Sequence, residues 1–306
     1  MTNEQYLKNI SVPEGKIDVV LDTDTYNEVD DQFAVSYMLA YPEKLEVKAI
    51  YAAPFFNTRS TSPEDGMEKS YDEILKLLSL TKKEHLKDVV FKGSRNYLAD
   101  EKTPIESPAS LDLVKRAKEY SPENPLYVVA IGAITNVASA LLLAPEIAEN
   151  IVVVWLGGHA THWEHTREFN MFQDVAAARV VMGSPAPFVQ LPCMGVVSSF
   201  MLPLCEIELY LGGKNAVGTF LAENVCHAVR HVDKDKAPSR VIWDATAIAW
   251  LVNDESKFLC SKIIPCPMPE YDNTYSYPEN AKPITYVYHV ERDALAGDMY
   301  KRIATL

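Results

Sequence analysis

Two rhythms of hydrophobic and polar positions alternate along the first two-thirds of the chain. The stretches "IDVVLD" (17–22), "LEVKAIYAA" (45–53), "VVFKG" (89–93), "LYVVAIG" (126–132), "IVVVWLGG" (151–158) and "FVQLP" (188–192) are short and rich in β-branched residues. Being apolar on both faces, they predict strands buried inside a parallel sheet. Between them, residues 31–41, 67–80, 108–119, 135–148 and 171–182 place apolar side chains at helical spacing. Repeated strand–helix–strand units imply an α/β fold with a mostly parallel central sheet covered by helices on both faces. Ligands of such sheets bind outside the carboxyl ends of the strands. The remaining chain reads as more helical, with one late strand at "ITYVYHV" (284–290). No repeat and no Pro-, Gly- or Ser-rich linker interrupts the pattern, so it predicts a single domain, 1–306.

Composition narrows the partners. The formal charge is -13, from 42 acidic and 29 basic residues with no basic stripe, which argues against nucleic acid and against an anionic membrane surface. No run approaches the roughly 18 apolar residues of a membrane span. The opening "MTNEQYLKNISVPEGK" lacks the apolar core of a signal peptide. Cys193, Cys205, Cys226, Cys260 and Cys266 are scattered and form no CxxC, as reduced thiols do. A cytoplasmic protein is expected.

Candidate chemistry gathers behind the first strand, in "DVVLDTDTYNEVDDQFAVSYMLAYP" (18–42), where Asp22, Asp24, Glu28, Asp30 and Asp31 crowd one loop. The plain explanation makes Asp30 or Asp31 a helix cap and Asp22 or Asp24 a turn residue. That accounts for one or two of them; the others repel one another unless a cation or a set of donors offsets the charge. With no Cys or His in the stretch, hard oxygen ligands suit calcium or magnesium better than zinc. A strand followed by Asp-x-Asp also opens the haloacid dehalogenase type of magnesium-dependent phosphatase, which "LDTDT" resembles. That pattern expects Thr or Val where Tyr26 stands, and no clear later lysine with an Asp pair follows.

A more specific resemblance runs in order along most of the chain. "DTDTYNEVDD", "YAAPFFN", "AIGAITNVASALLLAPEI", "LGGHATHWEHTREFNMFQDVAAA" and "VIWDATAIAWL" resemble the successive motifs of the calcium-dependent nucleoside hydrolase family, of the inosine-uridine or purine nucleoside type. The resemblance implies a Rossmann-like α/β domain that hydrolyses the N-glycosidic bond of ribonucleosides, using a calcium-bound water activated by Asp24. It further implies Asp24, Asp31, Asp244 and the main-chain carbonyl of Ile131 as metal ligands, with Asp22 behind them. Asp30, Asn57, Glu168 and Asn170 match positions that hold ribose hydroxyls. A homodimer or homotetramer is usual for the family. A scaffold that binds ribosides with little turnover is the alternative, although a sensor has no need of a base such as Asp24 beside the metal.

Two departures stand out. Where the inosine-uridine branch has a histidine before the late aspartate, this chain has Trp243, which cannot titrate near neutral pH but can stack on a base. The family's purine-specific branch has tryptophan there, so a purine leaving group is expected; Tyr97 is the only candidate for that branch's second stacking residue. The family's loop asparagine is replaced by His162, between His159 and His165. His162 is expected at the ribose 5′ end or the base, and one of the three histidines could stand in for the missing acid. A loop has no fixed period to aim them at zinc. Asn136 reads as a helix-start residue, Arg292 and Asp293 as an ion pair, and His227 with His231 as one helical face without ligand function.

Overall fold

The computed structural model describes residues 1–230 and 235–306; His231 lies outside them, so its pairing with His227 does too. Strands β1 (Ile17–Thr23), β2 (Leu45–Ala52), β3 (Val90–Lys92), β4 (Leu126–Ala130), β5 (Ile151–Leu156) and β6 (Phe188–Leu191) stand where the patterning predicts them. Two short ribbons follow, from β7 (Met201–Pro203) with β8 (Ser239–Val241) and from β10 (Met268–Pro269) with β11 (Tyr275–Ser276). Between them in sequence lies β9 (Leu259–Pro265), and β12 (Pro283–Val290) is the late strand. The main sheet has the order β3-β2-β1-β4-β5-β6-β12-β9, parallel throughout except for β9, which runs antiparallel at the edge.

The strands are apolar on both faces because each face meets its own core. Along β1, Val19 and Leu21 enter one core and Val20 the other; along β5, Val152 and Val154 enter the first, and Val153 and Trp155 the second. Each fully buried side chain of this size contributes roughly 1.5–3 kcal/mol. Helices cover both sides: α1 (Asn3–Asn9), α2 (Asp30–Leu39), α3 (Pro63–Leu80), α4 (Pro108–Ala117), α5 (Thr135–Leu143), α6 (Phe169–Gln173), α7 (Val175–Gly183), α8 (Leu204–Leu211), α9 (Ala216–Val229), α10 (Ala245–Leu251) and α11 (Arg292–Ile303). α2, α3 and α8 to α11 bury their apolar sides in the first core, and α4, α5 and α7 in the second.

Beyond β6 the patterning predicts a mainly helical chain with one late strand; instead α8 to α11 are interspersed with six strands, β7 to β12, of which the patterning found β12 alone. The helix expected over 171–182 is two helices, broken at Asp174, whose side chain accepts from the Ala177 amide and caps α7. α3 starts at Pro63, ahead of its expected start, because Ser62 caps it and Pro63 fits the first turn. Among the described residues, no helix is long and apolar enough to cross a membrane.

Candidate active site and metal centre

Parallel neighbours extend the ladder just beyond β1: the Ala53 amide donates to the Thr23 carbonyl and the Ile131 amide to the Asp22 carbonyl, both at 2.8 Å. The loops after β1, β4, β5 and β6 therefore open on one sheet edge. With the N-termini of α2 and α10 they enclose a cavity of about 260 Å³, near the lower end of the range for small-molecule sites.

Asp24, Asp30, Asp31 and Asp244 form one wall, each no more than 4% exposed. Capping does not explain them. Val29 occupies the N-cap of α2 and Asp244 that of α10, and in neither helix does a cap side chain accept a hydrogen bond. Both oxygens of Asp24 and Oδ1 of Asp30 have no hydrogen-bond partner, whereas Asp31 accepts from Thr23 Oγ1 at 2.6 Å. Burial, reinforced by the neighbouring carboxylates, holds Asp24, Asp31 and Asp244 well above the usual carboxylate range. Burial and then Glu28 push Asp30 up to about 7. Two helix N-termini offset part of this charge. Asp30, Asp31 and Asp244 each bring one oxygen within 4.8 Å of the others, so three hard donors, with the unpartnered Asp24 beside them, fit a divalent cation. Asp30, read in the sequence as a ribose contact, thus stands in this tight trio, and Asp24 outside it.

Asp22 lies behind that wall. Its Oδ1 accepts from Asn136 Nδ2 at 2.8 Å, and burial pushes it up to about 7. Asn136 sits in the first turn of α5, whose N-cap is Ile134. Its side chain clamps Asp22 and, through Oδ1, accepts from the Ser94 amide at 2.8 Å.

Ile131 lines the cavity, and its carbonyl accepts from Asn170 Nδ2 at 3.1 Å, which leaves it one lone pair. Asn170 Nδ2 also donates to the Leu156 carbonyl at 3.0 Å, tying β4 to β5. Glu168 caps α6, accepting from the amides of Gly158, Asn170 and Met171 at 2.9 Å each. The Gly-Gly signature is a backbone requirement here: Gly158 has φ +76°, and a Cβ on it would lie 2.3 Å from the Tyr275 hydroxyl. Asn170 and Glu168 both line the cavity, with part of their bonding capacity committed to backbone.

Three expected contacts are placed differently. Asn57 does not line the cavity; its Nδ2 donates at 2.6 Å to Oδ1 of Asn27, which does, because the long loop between Asp24 and Asp30 carries Asn27 inward. His162 is exposed and outside the cavity, since residues 161–165 turn out to solvent. His159, directly after the glycines, lines it instead. Its Nδ1 accepts from the Met194 amide at 3.2 Å, and burial, with His165 beside it, pushes it down to about 4. Tyr97 is not a cavity wall either; its hydroxyl donates to Gln173 Oε1.

Trp243 is half-buried and lines the cavity next to Asp244, as expected. Sequence reasoning passed over Asn27, Arg167, Phe169, Cys193 and Met194 as site residues and gave Glu28, one of the crowded acids, no role; all of them reach the cavity. Cys193 and Met194 follow β6 after one intervening residue, Pro192, so the strand-end rule could have found them. Glu28 is ion-paired with Arg240.

The description "inosine-uridine preferring nucleoside hydrolase" belongs to the family model that matches residues 19–293. The chain belongs to this family. It is accordingly an N-ribosyl hydrolase, acting on the N-glycosidic bond of small ribonucleosides, in a family that is generally metal-dependent. Among curated relatives, the pyrimidine-specific ribonucleoside hydrolase RihA of Salmonella arizonae is 27% identical over 267 residues, 78% of this chain and 80% of that protein. Its namesake from Klebsiella pneumoniae is 28% identical over 253 residues, 74% of this chain and 77% of that protein. Among solved structures, the plant nucleoside hydrolase PpNRh1 has a TM-score of 0.76 at 19% identity, covering 95% of this chain and 99% of its own. The purine-preferring ribonucleoside hydrolase from Gardnerella vaginalis also has a TM-score of 0.76, at 21% identity, covering 94% and 98%. These two likenesses establish the nucleoside hydrolase fold.

Proposed function

We propose that this nucleoside hydrolase is calcium-dependent and prefers purine ribonucleosides, with Asp24 as the general base. The observation that carries the reading is the pair of buried, unpartnered Asp24 oxygens beside the Asp30, Asp31 and Asp244 cluster. Asp24, Asp31, Asp244 and the Ile131 carbonyl would hold the calcium. When bound, it supplies a Lewis acid that lowers the pKa of water and anchors two ribose hydroxyls.

Breaking a ribosyl C–N bond passes through an oxocarbenium-like state. Asp24 takes the proton of the attacking water, and the surrounding carboxylates favour positive charge developing on the sugar. Asp30, Glu168, Asn170 and Asn27 hold hydroxyls, while Trp243 stacks on the leaving base. An indole offers no titrating proton, so a purine, whose ring nitrogens can be protonated from solvent, is the leaving group this wall suits. A homodimer or homotetramer in the cytoplasm completes the reading.

The deciding experiment is release of free ribose from inosine, adenosine, guanosine, uridine and cytidine, with calcium and after chelation. Calcium-dependent release from purine nucleosides, with little from uridine or cytidine, is expected. Preferential release from the pyrimidine nucleosides, as the names of the curated relatives suggest for those proteins, would overturn the purine preference; release that survives chelation would overturn the calcium.

A further inference from the structure

We propose that His159 and Arg167 form a subsite for a phosphorylated C5′, so that nucleoside 5′-monophosphates are substrates of this enzyme. The inference rests on the reading above, in which the carboxylate wall takes the sugar and Trp243 takes the base.

Among the described residues, Arg167, an exposed side chain, is the only arginine lining the cavity, and no carboxylate is within ion-pair distance of its guanidinium. Arg240, near the opposite wall, is by contrast tied to Glu28. The Arg167 guanidinium lies 4.2 Å from the centroid of the Phe172 ring, an arrangement that uses its face and leaves its N–H edge available. His159 is a buried polar side chain of the same wall, only 7% exposed. Because its Nδ1 accepts from the Met194 amide, the neutral ring carries its proton on Nε2, as a fixed donor.

Position selects the 5′ end. A ribose held by its 2′ and 3′ hydroxyls points C1′ and C4′ in opposite directions. With the base against Trp243, the proposal places C4′ and C5′ against the loop after β5, which carries His159 and Arg167. His159 follows β5, which is two strands from β1, a lateral distance of roughly 10 Å. The cavity-lining carboxylate of the same loop, Glu168, is engaged by the amides of Gly158, Asn170 and Met171. A 5′-hydroxyl would need only a neutral partner, whereas an unpaired guanidinium beside a fixed N–H donor matches phosphate oxygens. In the reaction, the water oxygen bonds to C1′ as the C1′–N bond breaks; the base leaves with the electron pair and takes a proton. The phosphate ester is untouched, and the second product is ribose 5-phosphate.

The test is kcat/KM for inosine and for its 5′-monophosphate, measured as hypoxanthine release with ribose 5-phosphate identified as co-product. It is run on the calcium-loaded wild type, on Arg167→Ala and on Arg167→Lys. The wild type is expected to hydrolyse the monophosphate at least as efficiently as inosine. Arg167→Ala is expected to lower the ratio of monophosphate to nucleoside efficiency at least tenfold, and Arg167→Lys to restore part of it. Calcium-induced thermal stabilisation of each variant confirms that it is folded. Hydrolysis of inosine without hydrolysis of its monophosphate, or a ratio that Arg167→Ala leaves in place, overturns the subsite alone. Failure with both substrates and with every other nucleoside takes the purine hydrolase reading down with it.

Discussion

The two walls of the cavity are built differently. The carboxylate wall stands on regular elements: Asp24 one residue past β1, Asp30 and Asp31 in the first turn of α2, and Asp244 at the head of α10. The facing wall comes from the loop between β5 and α6, where residues 161–165 are exposed, and from the turn after β6. The clustered carboxylates are held by strand and helix ends, which the sheet and two cores keep in place, as the proposed reaction requires of charge aimed at a reacting centre. The facing wall is carried by loops, which can change without disturbing the core.

The sharpest way to break this contrast is to neutralise the rigid wall. Asp24→Asn keeps the shape and one metal-ligating oxygen but removes the base. Turnover is expected to fall roughly 10³-fold, about 4 kcal/mol of barrier, with nucleoside affinity within a few-fold of wild type. Unchanged ribose release would put the proton acceptor elsewhere in the cavity.

What could be read from the sequence follows the same division. The six N-terminal strands and the crowded aspartates were legible, because buried strands have a local apolar signature and the acids lie within ten residues of one another. Asp244 was legible only as part of an ordered motif series, since alone it looks like a cap. The choices between Asn57 and Asn27, and between His162 and His159, depend on the path of loops that have no period. β9 escaped because it is an edge strand with mostly exposed or half-buried positions, so no apolar run marks it. The break between α6 and α7 is set by distant partners: Asp174 accepts from Thr135 Oγ1 at 2.6 Å and from the Leu98 amide at 2.9 Å.

On the loop wall, the expected effects are smaller and differ in kind. His159 is held near 4 in the native state, while an unperturbed histidine titrates near 6.5. Between those values the unfolded chain binds more protons than the folded one, so stability rises with pH across that window. Relative to His159→Gln, the wild type should gain at most about 3 kcal/mol between pH 4 and 6.5 and nothing further above it. Urea denaturation of both proteins across that range measures the difference. Parallel curves would mean that His159 is solvated and not held by the wall.

Trp243→Ala, beside Asp244 at the head of α10, tests the choice of base. Loss of one stacking face should cost about 2 kcal/mol, roughly thirtyfold in kcat/KM, on inosine or guanosine. The loss on uridine, with its smaller ring, should be several-fold less. An equal loss on all nucleosides would make Trp243 a packing residue at the head of α10.

The smallest effect distinguishes a residue that touches the sugar from one that braces it. Asn57 donates to Asn27 Oδ1 and accepts from the Arg59 amide at 2.8 Å, and Arg59 Nη1 in turn reaches the Asn27 carbonyl at 3.2 Å. Asn57 therefore belongs to a brace around the loop that carries Asn27, and its deletion costs about one neutral hydrogen bond, roughly 1 kcal/mol. Asn57→Ala should raise KM up to about fivefold and leave kcat close to wild type. Asn27→Ala removes a cavity-lining amide and should lower kcat/KM further. If Asn57→Ala proves the more damaging of the two, and acts on kcat, the loop rearranges around bound sugar to bring Asn57 in. The rigid wall would then extend farther round the cavity than its regular elements do.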